Sequence, residues 1–385
     1  MAVARSAIAR DGHNGVTAWL NPPPTNRSEG HAMTATRYRA EDLIRYATAL
    51  LEQAGLESEK CKIVAEILLE GDLLGHTTHG LQLLGPYLND LEKGGMTKSG
   101  MPRVIADFPA AVTWDGMRLP GTWLTAHAID IALERATKYG TCTVAIRRSH
   151  HIACLAAYLK RVTDQGMMVM LISSGPETGG VVPHGGRGSG THTPNPIAAA
   201  WPTKGDPVMI DVSMSITTHG LTGRLHREKR KLPGQWVLDG HGNPSSDPAV
   251  LFNEPKGGLL PIGGLDHGHK GYALGLLVEA LTQGLAGHGR ADAYEGWSAN
   301  VYVQVFDPAL YAGCEDFTHQ TEWIAEACRT TPPRAGFDRV RLPGESGLRR
   351  REEQMQHGVE LYPGIMTGLE PWSDKLRVPA PAAIV

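Results

Sequence analysis

Residues 175–196 read GPETGGVVPHGGRGSGTHTPNP, and the fold class turns on whether this glycine-rich loop is a dinucleotide fingerprint. The Rossmann signature needs G-x-G-x-x-G set tightly between a strand and a helix, so that backbone N–H groups and the helix N-terminus receive the pyrophosphate. The glycine cluster here, GGRGSG at 185–190, has neither that spacing nor a Walker A pattern, and it is not set tightly between two such elements. A doubly wound dinucleotide fold is therefore not supported. The cluster suits a phosphate cradled by backbone N–H groups, and it suits a flexible turn-rich loop equally well. A loop this long and polar is not an idle connection, and it is expected to frame a site.

On either side of the loop, short β-prone runs at 141–146, 167–172, 208–212 and 301–306 alternate with helical patterns at 126–139 and 271–285. An α/β core is implied. Toward the N-terminus, Leu43, Ile44, Ala47, Leu50, Leu51 and Ala54 recur at helical spacing until Gly55. A second helix runs through Cys61, Val64, Ala65, Leu68 and Leu69, and a third through Leu81, Leu84, Leu88 and Leu91 to Gly94. Beyond Asp316 the pattern predicts a helix at 320–327, a strand at 339–342 and a closing helical stretch. Residues 1–36, with the proline-broken NPPPTNRSEG, read as a disordered extension, and Met33 stands as an alternative start.

With 385 residues the chain exceeds what one hydrophobic core comfortably serves, so two lobes are expected. A formal net charge of −3 offers no global basic field for nucleic acid or an anionic membrane, which leaves a small molecule as the expected partner. No apolar run approaches the ~20 residues that span a bilayer. Five cysteines stand singly, with no C-x-x-C pair, which points to a reducing cytoplasm.

Histidine is the conspicuous chemical resource, with close pairs at His76/His79, His150/His151 and His267/His269. Imidazole ligates metals readily, but there is no HExxH, and only DHGH at 266–269 sets an acid in register with its histidines. No metal is assigned. Lys270 opens an apolar helix, where a cation opposes the helix dipole; either an anion compensates it or solvent does. Asp211 closes a β-run, and with Ser213 and Ser215 it offers an edge that suits a ribose or a helix cap.

The motif order is GHTTHGLQLLGPYL (75–88), SHHIACLAAYL (149–159), NPIAAAWP (195–202), MIDVSMS (209–215), LPGQWVLDGHGNPSSDP (232–248), GGLDHGHKGYALGLLVEALTQGLAG (263–287) and VRLPGE (340–345). In this order the chain resembles the malate/L-lactate dehydrogenase family of NAD(P)-dependent 2-hydroxyacid oxidoreductases, which includes sulfolactate and ureidoglycolate dehydrogenases and piperideine-2-carboxylate reductases. The resemblance implies an α/β (α+β) fold with a non-Rossmann nicotinamide-binding domain, built on a mixed or largely antiparallel sheet, plus a helical lobe from both chain ends. On that reading 37–105 begins the helical lobe, 106–310 is the NAD(P)-binding domain, 311–385 completes the lobe, and the protein is a homodimer. It also implies catalytic roles for His151, His79 and Thr78, with His151 exchanging the proton and His76 a bystander. The cofactor contacts it implies are Ser173, Ser174, Gly175, Asp211, Val212, Ser213, Lys270, Gly344 and Glu345, with Arg349 near the last pair.

Two departures stand out. Ala153 occupies the position where the family's histidine motif carries glycine. Leu83 occupies the position of an arginine that clamps the substrate carboxylate in many members, and a charged hydrogen bond there contributes roughly 1.5–3 kcal/mol. Either another base such as Arg148 or Arg187 replaces it, or the substrate is bulkier and less polar at that end. Basic residues at 226–231, HREKRK, suit a 2′-phosphate or plain solvation, so NAD and NADP both remain open. Two other classes are a metallohydrolase using DHGH and HTTH, and a non-catalytic binding protein of the same fold.

Overall fold

The computed structural model describes residues 36–177, 179–293 and 296–384; the expected extension lies, up to residue 35, outside them. A short strand β1 (Arg37–Tyr38) leads into α1 (Ala40–Gln53), α2 (Ser58–Leu74) and α3 (Leu84–Lys93). Leu43, Leu50 and Leu51 of α1 and Val64, Leu68 and Leu69 of α2 are buried at the helical spacing the sequence displays. The GHTTHG turn lies between α2 and α3, and Gly75 ends α2 in the left-handed conformation.

The sheet region then runs β2 (Arg103–Phe108), β3 (Ala111–Asp115), α4 (Gly121–Tyr139), β4 (Thr141–His150), α5 (Ala156–Thr163), β5 (Met168–Ser174), β6 (Ile197–Trp201), β7 (Val208–Val212), α6 (His219–Arg227), β8 (Val237–Leu238), β9 (Pro244–Ser245), β10 (Gly258–Leu259), α7 (Gly264–Glu279) and β11 (Ser298–Phe306). Seven strands form one sheet in the order β2-β3-β4-β11-β5-β6-β7. Only the β3/β4 pair is parallel, so the sheet is mixed and largely antiparallel. Strands β8, β9 and β10 make a separate three-stranded sheet from the polar segment after α6.

The chain closes with α8 (Cys314–Thr330), α9 (Glu345–His357), β12 (Val359–Glu360) and α10 (Ile365–Leu376). Strand β12 pairs antiparallel with β1, and Gln354 of α9 donates to the Asp72 and Leu73 carbonyls at 3.1 Å, so both chain ends meet in one helical layer. One hydrophobic cluster continues from Leu50 and Leu68 of that layer to Val144 and Val303 in the sheet.

The strand expected at 339–342 does not form: these residues are irregular, and Pro343 instead accepts the Met209 N–H of β7 at 3.1 Å. Val340 lies between two arginines and next to Leu342-Pro343-Gly344, and the turn at 343–344 closes the segment before it can find a strand partner. The α8 helix starts earlier and ends later than its apolar pattern, and α7 begins at Gly264, seven positions before the expected 271. In α7 Gly268 packs against the Pro261 and His184 side chains and Gly271 against the Ile262 backbone, which an apolar pattern does not reveal.

The turn that carries His79 is held by a buried acid. Asp72 Oδ2 accepts the Leu81 N–H at 2.6 Å, tying the two ends of GHTTHG, and a Cβ at position 80 would run into that carboxyl. Burial pushes the Asp72 pKa up to about 7, against the Leu81 N–H and the Arg224 charge. Folded protein therefore keeps a proton between roughly pH 4 and 7 that the unfolded chain has released, so this group's contribution to stability falls as pH rises through that window. Asp72→Asn keeps an acceptor for Leu81 without the titration. The expected outcome is a wild-type melting temperature that drops from pH 5 to pH 8 more than that of Asp72→Asn, measured by thermal unfolding of both.

Candidate active site

Strands β4, β5 and β7 all end at one edge of the sheet, and there a cavity of about 850 Å³ opens. Its walls come from the GHTTHG turn, the loop after β4, the end of β5 with the glycine loop, the end of β7, the start of α6 and the residues before β11.

His151 is the first residue after β4, and its place is enforced by close packing: a Cβ at Gly121, the first residue of α4, would meet the carbonyl oxygens of His150 and His151. Its ring stacks on Trp297 at 4.3 Å between centroids and faces His79 at 6.0 Å. Tyr87 from α3 reaches its Nδ1 at 3.0 Å, and the same hydroxyl donates to the His151 carbonyl at 3.1 Å. The Ala153 N–H also lies 3.3 Å from Nδ1, because Ala153 turns left-handed at φ 61°. Non-glycine residues adopt that conformation at a cost of roughly 1–2 kcal/mol, so the backbone here is glycine-like although the residue is alanine. The two contacts favour opposite tautomers: Nδ1–H toward Tyr87 leaves Nε2 bare, and the Ala153 N–H on Nδ1 puts the ring proton on Nε2. Burial, then the neighbouring His79 and His150, holds the His151 pKa well below the ordinary histidine range, so the ring is neutral near pH 7.

Thr78 and His79 join it in the cavity wall. Thr78 Oγ1 lies 2.9 Å from His79 Nδ1 and orients that ring, and burial lowers the His79 pKa. Behind the site His150 is fully buried, with Nε2 2.9 Å from Asp90 Oδ2.

Ser173, Ser174, Gly175, Asp211 and Ser213 all reach the cavity. Ser174 is braced by Thr282 at 2.7 Å, and the Gly175 N–H donates to Thr193 Oγ1 at 3.0 Å. Asp211 Oδ2 accepts the Ala156 N–H at 2.9 Å, which caps α5. Four expected cofactor contacts lie elsewhere. Val212 is partly exposed outside the lining, and Lys270 is exposed on α7. Gly344 packs on Met209, and Glu345 closes its own turn by accepting the Leu342 N–H at 3.0 Å while pairing with Arg339 at 2.7 Å.

The bases considered for a substrate carboxylate are also elsewhere: Arg148 is bound to buried Asp115 at 2.5 Å, and Arg187 lies against Gly242. Leu83 does line the cavity and makes that part of its wall apolar. His76 lines it as well, whereas His267 and His269 are exposed on α7 and do not join the HTTH histidines. None of residues 226–231 is in the lining.

Sequence reading missed Tyr87, Trp297, His219 and Lys256. Among the described lining residues Lys256 is the one Lys or Arg. Its only local signal is the break EPKGG at 254–258, where a cation follows a proline and precedes two glycines. Trp297 and Tyr87 gave none, because their contacts to His151 span 146 and 64 positions.

The profile of the malate/L-lactate dehydrogenase family matches residues 38–370. The L-lactate dehydrogenase of Cupriavidus necator is 31% identical over 83% of this chain and 92% of its own length. The malate dehydrogenase of Pyrococcus horikoshii superposes with a TM-score of 0.81 at 26% identity, covering 91% of this chain and 99% of that one. The Δ1-piperideine-2-carboxylate reductase of Pseudomonas syringae superposes at 0.76 with 26% identity, over 87% of this chain and 99% of that one. With the sheet order, the strand-end cavity and a profile match across most of its length, the chain belongs to the malate/L-lactate dehydrogenase family of oxidoreductases.

Proposed function

We propose that the protein exchanges a hydride between NAD or NADP and a 2-hydroxyacid or 2-oxoacid, or a cyclic imino acid, in the strand-end cavity. The observation that carries this reading is His151: a neutral ring set in the cavity wall, its Nδ1 held by Tyr87 and its face covered by Trp297. Interconverting an alcohol and a carbonyl moves one proton at oxygen along with the hydride, and a positioned imidazole is suited to carry it. With Nδ1–H turned to Tyr87, Nε2 takes the proton of an alcohol, and the imidazolium so formed returns that proton to the developing alkoxide in the opposite direction. Thr78 orients His79 on the opposite wall, where that ring makes a second hydrogen bond to the substrate oxygen or carboxylate.

The cavity also fits the dinucleotide that such chemistry needs. Its volume is large for a ligand site, and one side is lined by Gly175, Gly179 and Gly180 with Ser173, Ser174 and Thr193. A nicotinamide bound there supplies or accepts the hydride. Asp211 and Ser213 are placed for ribose hydroxyls.

Lys256 takes the anion that the missing arginine would have held. It lies between Pro255 and Gly257, and its ammonium binds a carboxylate as a point charge and not through a bidentate fork. Apolar Leu83 favours a substrate with a less polar body than malate at that end.

Leu265, Leu274, Leu276 and Leu277 are exposed on α7, with Leu285 beyond it, and this apolar exposure supports a homodimer. All five cysteines are free, which supports a cytoplasmic location; among the described residues no helix is long and apolar enough to cross a membrane.

Titration with NADH and NADPH, followed by nicotinamide fluorescence, is expected to show saturable binding of at least one. His151→Ala should keep that binding and lose about 10²–10⁴-fold in turnover against a panel of 2-oxoacids and cyclic imino acids. Full turnover in the variant would remove the proton role, and absence of binding would remove the whole reading. Lys256→Ala is expected to weaken binding at least about tenfold, the loss of one charged contact, and comparing substrate KM with cofactor Kd shows which anion it holds. Light scattering of the purified protein should give twice the chain mass of 41.4 kDa.

A further inference from the structure

We propose that Cys154, Asp211 and His76 form a binding site for a soft divalent cation of the zinc class on the cavity wall. Their ligand atoms all lie within 4.8 Å of one another. Cys154 Sγ stands 3.7 Å from Asp211 Oδ2, although the two residues are 57 positions apart. A tetrahedral zinc, with bonds of about 2.3 Å to sulfur and about 2.0 Å to oxygen, separates those two ligand atoms by about 3.5 Å. Two of the three donors therefore already stand nearly at the edge length of a coordination tetrahedron.

The donors differ in freedom in a way that suits a site. Asp211 is fixed by the Ala156 N–H, and Cys154 is buried in the loop between β4 and α5. His76 is exposed on the turn after α2, so rotation about its side-chain bonds can bring the ring onto the cation. All three line the cavity, which leaves the fourth coordination position open to water. Thiolate, imidazole and carboxylate together select zinc or a similar ion over magnesium and calcium, which take oxygen donors. Binding replaces the Cys154 thiol proton, which leaves to solvent, and no electron moves.

The other charged clusters of the described residues lack this combination. Asp115 is already paired with Arg148, and His267 and His269 are exposed. The site shares Asp211 with the proposed ribose contact, but its test needs only the three side chains and no dinucleotide.

Cobalt titration of tag-free protein tests it, because a cobalt–thiolate bond produces a charge-transfer band in the near ultraviolet. The expected result is a band that saturates at one cobalt per chain, is lost in Cys154→Ala and is displaced by zinc. Absence of the band in the wild type, or its survival in Cys154→Ala through Cys314 or Cys328, overturns the proposal. Should Cys154→Ala fail to fold, His76→Ala, altered at an exposed position, decides: a midpoint at least tenfold higher supports the site, and an unchanged midpoint overturns it.

Discussion

The antiparallel register of β4 with β11 is the constraint from which the site follows. Ser298 pairs with His150 at the end of both strands, so the residue before β11 and the residue after β4 are brought to the same point. Those residues are Trp297 and His151, and they stack. On its other side β11 pairs with β5, matching Asn300 to Ser174, so the hydroxyl end of β5 arrives at the same edge. A slip of one residue in this central pair would turn Trp297 and His151 to different faces of the sheet and separate them.

The helical layer then completes what the sheet begins. Tyr87 comes from α3 and His79 from the turn before it, and both contact His151 only because Asp72 closes GHTTHG and α9 packs on α2 from the far end of the chain. The result is a cluster of imidazoles, His79, His150 and His151, whose pKa values burial lowers. Such a setting suits a reaction in which one proton and one hydride move.

The absence of a Rossmann fingerprint acquires a structural meaning here. In doubly wound folds a ligand meets parallel strand ends and a helix N-terminus. In this sheet only β3 and β4 are parallel, and the cavity is walled by loops and strand ends from several directions, with the glycine loop as one of them. Positive φ at Gly179, Gly188 and Gly190 and close backbone approach explain the glycine richness without any phosphate-binding consensus.

The helical N-terminal segment, the four principal strand runs, the exclusion of a doubly wound fold and the family were all legible in the chain, because apolar periodicity and motif order are local properties. The sequence also led to Thr78, His79, His151, the 173–175 turn and Asp211, which lie within or beside such motifs and do share the cavity. It did not find Tyr87, Trp297 or Lys256, nor the Cys154–Asp211 approach. It also grouped Lys270 and Glu345 with residues from which the structure separates them. Those relations depend on strand register and on the packing of elements far apart in the chain. A side chain's neighbours across a sheet edge are set by long-range pairing and burial, which only the tertiary structure decides.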